Sequence, residues 1–129
     1  MTRSLRLTPG LAALALLQLA RCGGEIDVPK DQPAARTGAQ LFNERCSGCH
    51  TLEAANSYGS NPEKTPLKYQ ERTNGPNFDT RKEARADVLY AIRNGGFSGA
   101  IMPANIVVGG EAGLVADFVS EYAGRKNGP

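Results

Sequence analysis

Three segments of the chain place apolar or small residues at helical spacing, and each predicts an α-helix with one buried face. The first covers residues 33–45 and repeats at intervals of three or four through Ala35, Gly38, Phe42 and Cys46. The second, over residues 82–94, presents Val88, Leu89 and Ile92 on one side. The third, over residues 111–123, carries the longest apolar stripe, which is Leu114, Val115, Phe118, Val119 and Tyr122. Strand-like alternation is absent from the sequence, so the pattern predicts an all-α fold with three main helices.

Residues that favour helix ends delimit these segments. Pro33 suits a first helical turn, and Asp79 or Thr80 is placed to cap the second helix. Gly95-Gly96 ends the second helix and Gly124 ends the third. Residues 51–77 have no sustained period and are rich in Asn, Gly, Ser and Pro, so they predict a long loop with one short helical turn. Loops of this length usually carry function or wrap around something.

The N-terminus has the features of an export signal. Arg3 and Arg6 form a positive region, and an apolar stretch over residues 11–20 follows them. That stretch is shorter than the ~20 apolar residues of a membrane-spanning helix. We therefore expect residues 1–21 to be a signal peptide and the protein to be exported, to the periplasm or the outer face of the cytoplasmic membrane. An uncleaved amphipathic or anchor helix is the alternative.

Cys22 is a candidate lipidation site, because residues 19–24 resemble the sequence at which bacterial lipoproteins are cut and lipidated. Arg21 stands where a small residue is usual, so both a lipidated and an unlipidated Cys22 stay open. Residues 22–32 are polar, contain Pro29 and predict a linker. The folded domain is then expected over residues 33–126.

Charge and composition exclude some classes of partner. Processing before Cys22 removes three of the 15 basic side chains and none of the 13 acidic ones, so the net charge becomes −1. No basic stripe remains that would indicate nucleic-acid binding. The domain is small, lacks Trp and has only four Phe and four Tyr, so a large apolar cofactor would help to stabilise it.

The motif Cys46-Ser47-Gly48-Cys49-His50 is the attachment sequence of c-type heme. Its spacing lets two thiols each add to one heme vinyl group while the next residue, His50, lies beside the iron. A zinc site is one alternative, but structural zinc takes four ligands and the chain has no second histidine. A thioredoxin-like dithiol is another, but it would follow a strand, and here the motif follows a predicted helix.

Met102 is the candidate for the second axial ligand of the iron. It follows Ile101, precedes Pro103 and lies in an irregular stretch before the last helix. A methionine that only fills the core is the alternative, although such a residue would more naturally lie on a helical stripe. His/Met ligation raises the reduction potential of heme iron.

These motifs resemble the class I, mono-heme cytochromes c of exported bacterial type, over about residues 33–124. Gly38 and Phe42 match the glycine and aromatic residue of the family's N-terminal helix. Val119 and Tyr122 match the residues of the C-terminal helix that this helix crosses. The resemblance implies the cytochrome c fold, in which three main helices and long loops wrap around one covalently bound heme c.

The resemblance also implies the roles of the heme-site residues. Gly75-Pro76 matches a Gly-Pro of the family whose proline carbonyl accepts a hydrogen bond from the ligand histidine. Met102-Pro103 matches the family's axial methionine and the proline after it. Cys46, Cys49, His50, Pro76 and Met102 are therefore the expected cofactor-binding residues, with His50 and Met102 on the iron.

We expect a monomeric, non-enzymatic carrier of single electrons, with redox partner proteins such as respiratory complexes and no catalytic residues. A heme enzyme or gas sensor with an open iron position is one alternative. A heme subunit fixed in a respiratory complex is the other, and composition does not separate it from a free carrier.

Overall fold

The computed structural model describes residues 25–59, 75–96 and 101–127. In chain order these residues form α1 (Pro33–Cys46), β1 (Thr51–Leu52), a 3-10 turn (Glu53–Ala55), β2 (Ser57–Tyr58), α2 (Arg85–Asn94), α3 (Gly109–Tyr122) and a last 3-10 turn (Arg125–Asn127). The predicted signal peptide, Cys22 and residues 60–74 of the predicted long loop lie outside the described residues. Within the described ranges, no helix has the length and apolar character needed to span a membrane.

The three predicted helices are confirmed, with differences at their ends. α1 starts at Pro33 as expected, whereas α2 begins at Arg85 rather than at residue 82. The expected cap of α2 is wrong, because its N-cap is Ala84 and no side chain caps it. Gly95 and Gly124 both have left-handed backbone angles, with φ of 86° and 77°, and they follow α2 and α3 as predicted.

α1 and α3 cross in direct contact at Gly38. A Cβ atom added to Gly38 would collide with the carbonyl oxygen of Leu114 and lie 2.7 Å from Cβ of Phe118. Only glycine lets the two backbones approach this closely. Phe118 is therefore the aromatic residue nearest to Gly38, and the expected Tyr122 packs against the Phe118 ring with a centroid distance of 5.0 Å. Tyr122 lies one turn further along, where its hydroxyl donates a hydrogen bond of 2.8 Å to Oε1 of Gln32.

A short hairpin follows the Cys-x-x-Cys-His motif, and the sequence did not predict it. β1 and β2 are antiparallel, with Thr51 opposite Tyr58 and Leu52 opposite Ser57. Strands of two residues have too few positions to show alternation, so periodicity cannot detect them. Thr51 also forms a parallel bridge with Asn77, which brings the segment after Pro76 beside the hairpin.

The core lies between the helices and is built around aromatic rings. Phe42 of α1 packs edge-on against Phe118 of α3 and against Phe78, with both centroid distances 6.0 Å. Part of the predicted linker also packs here: Val28 is buried, and its carbonyl accepts a 2.5 Å hydrogen bond from Arg36. The domain therefore uses residues that precede the boundary expected at residue 33.

Candidate heme-attachment site

The Cys-x-x-Cys-His motif continues the end of α1 as a helical turn. The carbonyl of Cys46 accepts hydrogen bonds from the backbone N–H of Cys49 at 3.1 Å and of His50 at 3.0 Å. Cys46 and Cys49 are not joined in a disulfide. Burial, with a smaller contribution from nearby Cys49, raises the pKa of the Cys46 thiol to about 12. A neutral sulfur is therefore favoured at this position, and a thioether sulfur is neutral.

The His50 side chain is buried and has a defined orientation. Its Nδ1 lies 3.2 Å from the carbonyl oxygen of Pro76, and only 9% of the residue is exposed. A carbonyl oxygen only accepts hydrogen bonds, so Nδ1 carries the proton and the lone pair is on Nε2. Burial lowers the pKa of His50, although the bond to Pro76 opposes this change. The imidazole is therefore neutral at pH 7, as metal ligation requires.

The Phe78 ring stacks on a face of the His50 ring. The two ring centroids are 4.9 Å apart and the planes differ by 12°. This parallel contact restricts rotation of the imidazole about its Cβ–Cγ bond. Phe78 was not among the expected site residues, although an apolar residue two positions after Pro76 in a polar loop was a usable signal.

Two glycines let neighbouring backbone lie directly against the motif. A Cβ atom on Gly59 would lie 2.7 Å from the carbonyl carbon of Gly48 and 2.8 Å from the nitrogen of Cys49. A Cβ atom on Gly75 would lie 2.7 Å from Nδ1 of His50. Hydrogen bonds hold both glycines in place, from Gly59 N–H to the carbonyl of His50 at 3.2 Å and from Gly75 N–H to that of Cys49 at 3.1 Å. Gly59 was not among the expected site residues.

The His50 carbonyl has a second partner in the hairpin. The hydroxyl of Ser57, a fully buried side chain, donates to it a hydrogen bond of 2.6 Å. The hairpin thus holds the backbone of His50, while the segment over residues 75–78 holds its ring.

Met102 lies in the turn between α2 and α3, half-buried and packed against the core. This turn approaches the end of α2 closely: the carbonyl oxygen of Met102 lies 2.8 Å from the position of a Cβ on Gly95. The backbone N–H of Asn105 also donates a 2.6 Å hydrogen bond to the carbonyl of Ile92. The position of Met102 is thus tied to α2, and its role as iron ligand stays a prediction.

These residues fit a covalently attached heme. Two thiols that form no disulfide lie at the end of a helix, and next to them is a neutral histidine whose Nε2 carries the lone pair that could bind a metal. The thioredoxin-like alternative is wrong, because the motif follows α1 rather than a strand. Among the described residues, no group of three or more His, Cys, Asp and Glu side chains is arranged to hold a metal ion, which leaves the zinc alternative without a ligand cluster there.

Comparisons with known proteins agree with this chemistry. The model of the family "Cytochrome C oxidase, cbb3-type, subunit III" matches residues 33–119. The crystal structure of the c-type cytochrome SorU from Sinorhizobium meliloti is 32% identical, with a TM-score of 0.50, and the match covers 72% of this chain and 94% of that one. A search of the curated proteins gave no match. The chain therefore belongs to the mono-heme cytochrome c family, has the cytochrome c fold and is a c-type cytochrome, for which covalently bound heme c is implied.

Proposed function

We propose that this protein carries single electrons on one covalently bound heme whose iron is ligated by His50 and Met102. The observation that carries the proposal is the state of His50. Its ring is buried, neutral and held between the carbonyl of Pro76 and the ring of Phe78. Such a histidine is prepared to bind iron in one orientation, which favours a ligand that stays in place during each electron transfer.

Each residue of the site has a defined part in this function. Cys46 and Cys49 attach the cofactor through thioether bonds, and His50 binds its iron through Nε2. The carbonyl of Pro76 accepts a hydrogen bond from Nδ1–H and so increases the basicity of the ligand nitrogen. When bound, the heme supplies a one-electron couple at the iron. The surrounding chain has no bond to make or break, so the function needs no catalytic acid, base or nucleophile.

Met102 is proposed to occupy the second axial position. Support comes from the sequence, which offers Met102 as its one methionine after Met1, and from the turn that is fixed against α2 at Gly95. A methionine at this position raises the reduction potential and leaves no open coordination site for a small ligand. The protein would therefore transfer electrons without binding dioxygen or carbon monoxide.

The Met102→Ala substitution tests this assignment. We expect the ferrous variant to bind carbon monoxide and its reduction potential to fall, because the thioether ligand is lost. The matched control is Ile106→Ala, which truncates another half-buried apolar residue of the same turn. The control should keep the spectrum and potential of the parent. A Met102→Ala protein with the parent's spectrum and potential would show that Met102 is not a ligand.

The unsubstituted protein separates a carrier from an enzyme or gas sensor. Absorption spectra of the reduced holoprotein should not change when carbon monoxide is added. Rapid and complete formation of a carbon monoxide adduct would instead indicate an open iron position, and the carrier proposal would then be replaced by the enzyme or sensor alternative.

A fixed heme subunit of a respiratory complex is the second candidate function, and the matching family model, which is named after an oxidase subunit, favours it. In both candidates we propose export through residues 1–21, redox partner proteins, and a membrane tether if Cys22 is lipidated. Native electrophoresis of detergent-solubilised membranes, followed by heme staining, distinguishes the two candidates. A heme band at the size of the free domain supports the carrier, and one in a large complex supports the subunit. Mass spectrometry of the mature N-terminus then determines whether Cys22 is modified.

A further inference from the structure

Asp79 is a buried carboxylate that connects three separate parts of the chain. Only 8% of the residue is exposed. Its Oδ1 accepts a 2.8 Å hydrogen bond from the backbone N–H of Glu53, the first residue of the 3-10 turn after β1. Its Oδ2 lies 3.1 Å from Nζ of Lys126, in the last turn of the described chain. Burying a charged carboxylate is unfavourable unless it is paired in this way.

The turn after α3 lies alongside the same segment. The backbone N–H of Gly124 donates to the carbonyl of Phe78 at 2.8 Å, and that of Lys126 donates to the carbonyl of Asp79 at 3.1 Å. The ammonium group of Lys126 also pairs with the Glu53 carboxylate. Hydrogen bonds to Glu53 and Asp79 raise the pKa of Lys126, so it is charged at neutral pH. We call Asp79, Lys126 and Glu53 the C-terminal clasp.

The clasp is connected to the short segment whose residues orient His50. Phe78, whose carbonyl accepts from Gly124, is the residue whose ring stacks on the imidazole. Pro76, whose carbonyl faces Nδ1 of His50, lies three positions before Asp79. Asn77, which follows Pro76, connects it to Asp79, because the Oδ1 of Asn77 accepts a 2.9 Å hydrogen bond from the backbone N–H of Asp79. Displacement of Asp79 would thus move both contacts of the histidine ring together.

We propose that Asp79 and Lys126 are positioning residues that fix the orientation of the ligand histidine through the segment over residues 76–79. This inference rests on His50 as an iron ligand, as proposed above. The hydrogen bond from Nδ1 to Pro76 makes the imidazole a stronger electron donor, which favours ferric iron. Loosening the segment weakens that bond, so the reduction potential should rise.

The Lys126→Met substitution removes the ammonium group and keeps a long apolar side chain. The protein should still fold, because the Lys126 side chain is 47% exposed and its backbone hydrogen bond remains. In the holoprotein we expect a higher reduction potential and an altered pattern of hyperfine-shifted proton resonances from the His50 ring in the ferric state. Amide hydrogen exchange at Gly124 should also become faster. Lys126→Arg, which restores the charge, should recover the parent's values.

Arg85→Met is the matched control. Arg85 pairs with Asp117 on the surface, and their side chains are 52% and 58% exposed, comparable with Lys126. This pair joins α2 to α3 without contacting the segment over residues 76–79. If the ion pairs of Lys126 only stabilised the fold, Lys126→Met and Arg85→Met would have the same reduction potential and the same His50 resonances. The proposal is overturned if Lys126→Met shows the potential and the His50 resonances of Arg85→Met, or if its potential falls.

The failure of this inference can be told apart from failure of the proposed function. If His50 does not bind the iron, the unsubstituted ferric protein will lack hyperfine-shifted histidine resonances, which overturns both proposals. If His50 binds the iron but the clasp does not position it, the parent will show those resonances and Lys126→Met will leave them unchanged.

Discussion

At the scale of single residues, the site depends on how little space surrounds the His50 ring. The carbonyl of Pro76 is at one edge, the Phe78 ring covers a face, and Gly75 presents only hydrogen where any other residue would present a Cβ. Burial keeps the ring neutral by lowering its pKa. Orientation and protonation state therefore have the same cause, which is close packing by a short segment of the chain.

Replacing Gly75 by Ala should displace the ring of His50. The new Cβ would lie 2.7 Å from Nδ1 and 2.8 Å from Cε1 of the ring, so ring or backbone must move. Overpacking of this kind costs about 1–3 kcal/mol. We expect a lower yield of holoprotein and altered hyperfine shifts of His50, measured by heme content per protein and by NMR of the ferric state.

Gly48→Ala is the control for this prediction, since it adds the same methyl group within the heme motif. None of the described residues has an atom within 4 Å of a Cβ at Gly48, so this variant should bind heme like the parent. Equal heme content and equal His50 resonances in both variants would contradict the packing argument.

The residues of the site differ in how far the sequence could predict them. Cys46, Cys49 and His50 are adjacent in the chain and carry a chemistry that few other motifs share. Gly59 and Phe78 act through contacts made only after the chain has folded back on the motif. Their neighbours in sequence have no periodicity, so the apolar pattern marks neither residue as part of the site. The one usable signal was the position of Phe78, two residues after Pro76 in a polar loop.

At the scale of helices, the domain depends on the crossing of α1 and α3. Gly38 brings the α1 backbone against Leu114 and Phe118, and Phe42, one turn later, packs edge-on against the Phe118 ring. Because α1 ends at Cys46, this crossing also determines where the heme motif begins relative to the core. The packing of two helices thus positions the covalent attachment site.

Replacing Gly38 by Ala should destabilise the holoprotein although alanine favours helix formation. Alanine gains up to ~1 kcal/mol of helix propensity over glycine. Against this, the new Cβ would overlap the carbonyl oxygen of Leu114, which belongs to a helix backbone and cannot rotate away. Because overpacking costs about 1–3 kcal/mol, we expect a net loss, seen as a lower midpoint in urea unfolding followed by heme absorption.

Gly113→Ala within α3 should have the opposite effect. The nearest atom to a Cβ at Gly113 is the end of the flexible Arg85 side chain at 3.7 Å, which is ordinary contact. This variant should gain up to ~1 kcal/mol. If Gly38→Ala were stabilised as much as Gly113→Ala, the close helix contact would not be present in solution.

Helix positions followed from periodicity, but helix ends and the hairpin did not. Asp79 is a good capping residue by type, yet its carboxylate binds Glu53 and Lys126 instead, and α2 starts several residues later. A long-range contact between segments far apart in sequence overrides the local preference. The same reason explains why Phe118 rather than Tyr122 lies nearest to Gly38, since both occupy the apolar stripe and only the crossing geometry selects between them.

At the scale of the whole molecule, charges of opposite sign are interspersed, and several of them lie in ion pairs. Among the described residues, ion pairs join Arg81 to Glu83, Arg85 to Asp117, Arg125 to Glu121, and Lys126 to Glu53 and Asp79. After removal of residues 1–21, the side chains carry a net charge of only −1. Such a surface produces a weak long-range field, and encounters with another protein would depend mainly on short-range contact.

This charge distribution predicts a weak salt dependence of electron self-exchange between reduced and oxidised copies of the protein without residues 1–21. Steered association can change rates by about 10–10³-fold, and salt suppresses that gain. Here we expect the self-exchange rate, measured by NMR line broadening, to change less than about threefold between ~10 mM and ~150 mM salt. The control replaces the exposed acidic residues Glu25, Asp31 and Glu44 by Lys, which makes the side-chain charge strongly positive. Self-repulsion should then slow exchange at low salt, and added salt should restore it. A tenfold or larger salt effect in the unsubstituted protein would contradict this prediction, because it would mean that the surface through which two copies meet carries a concentrated charged patch.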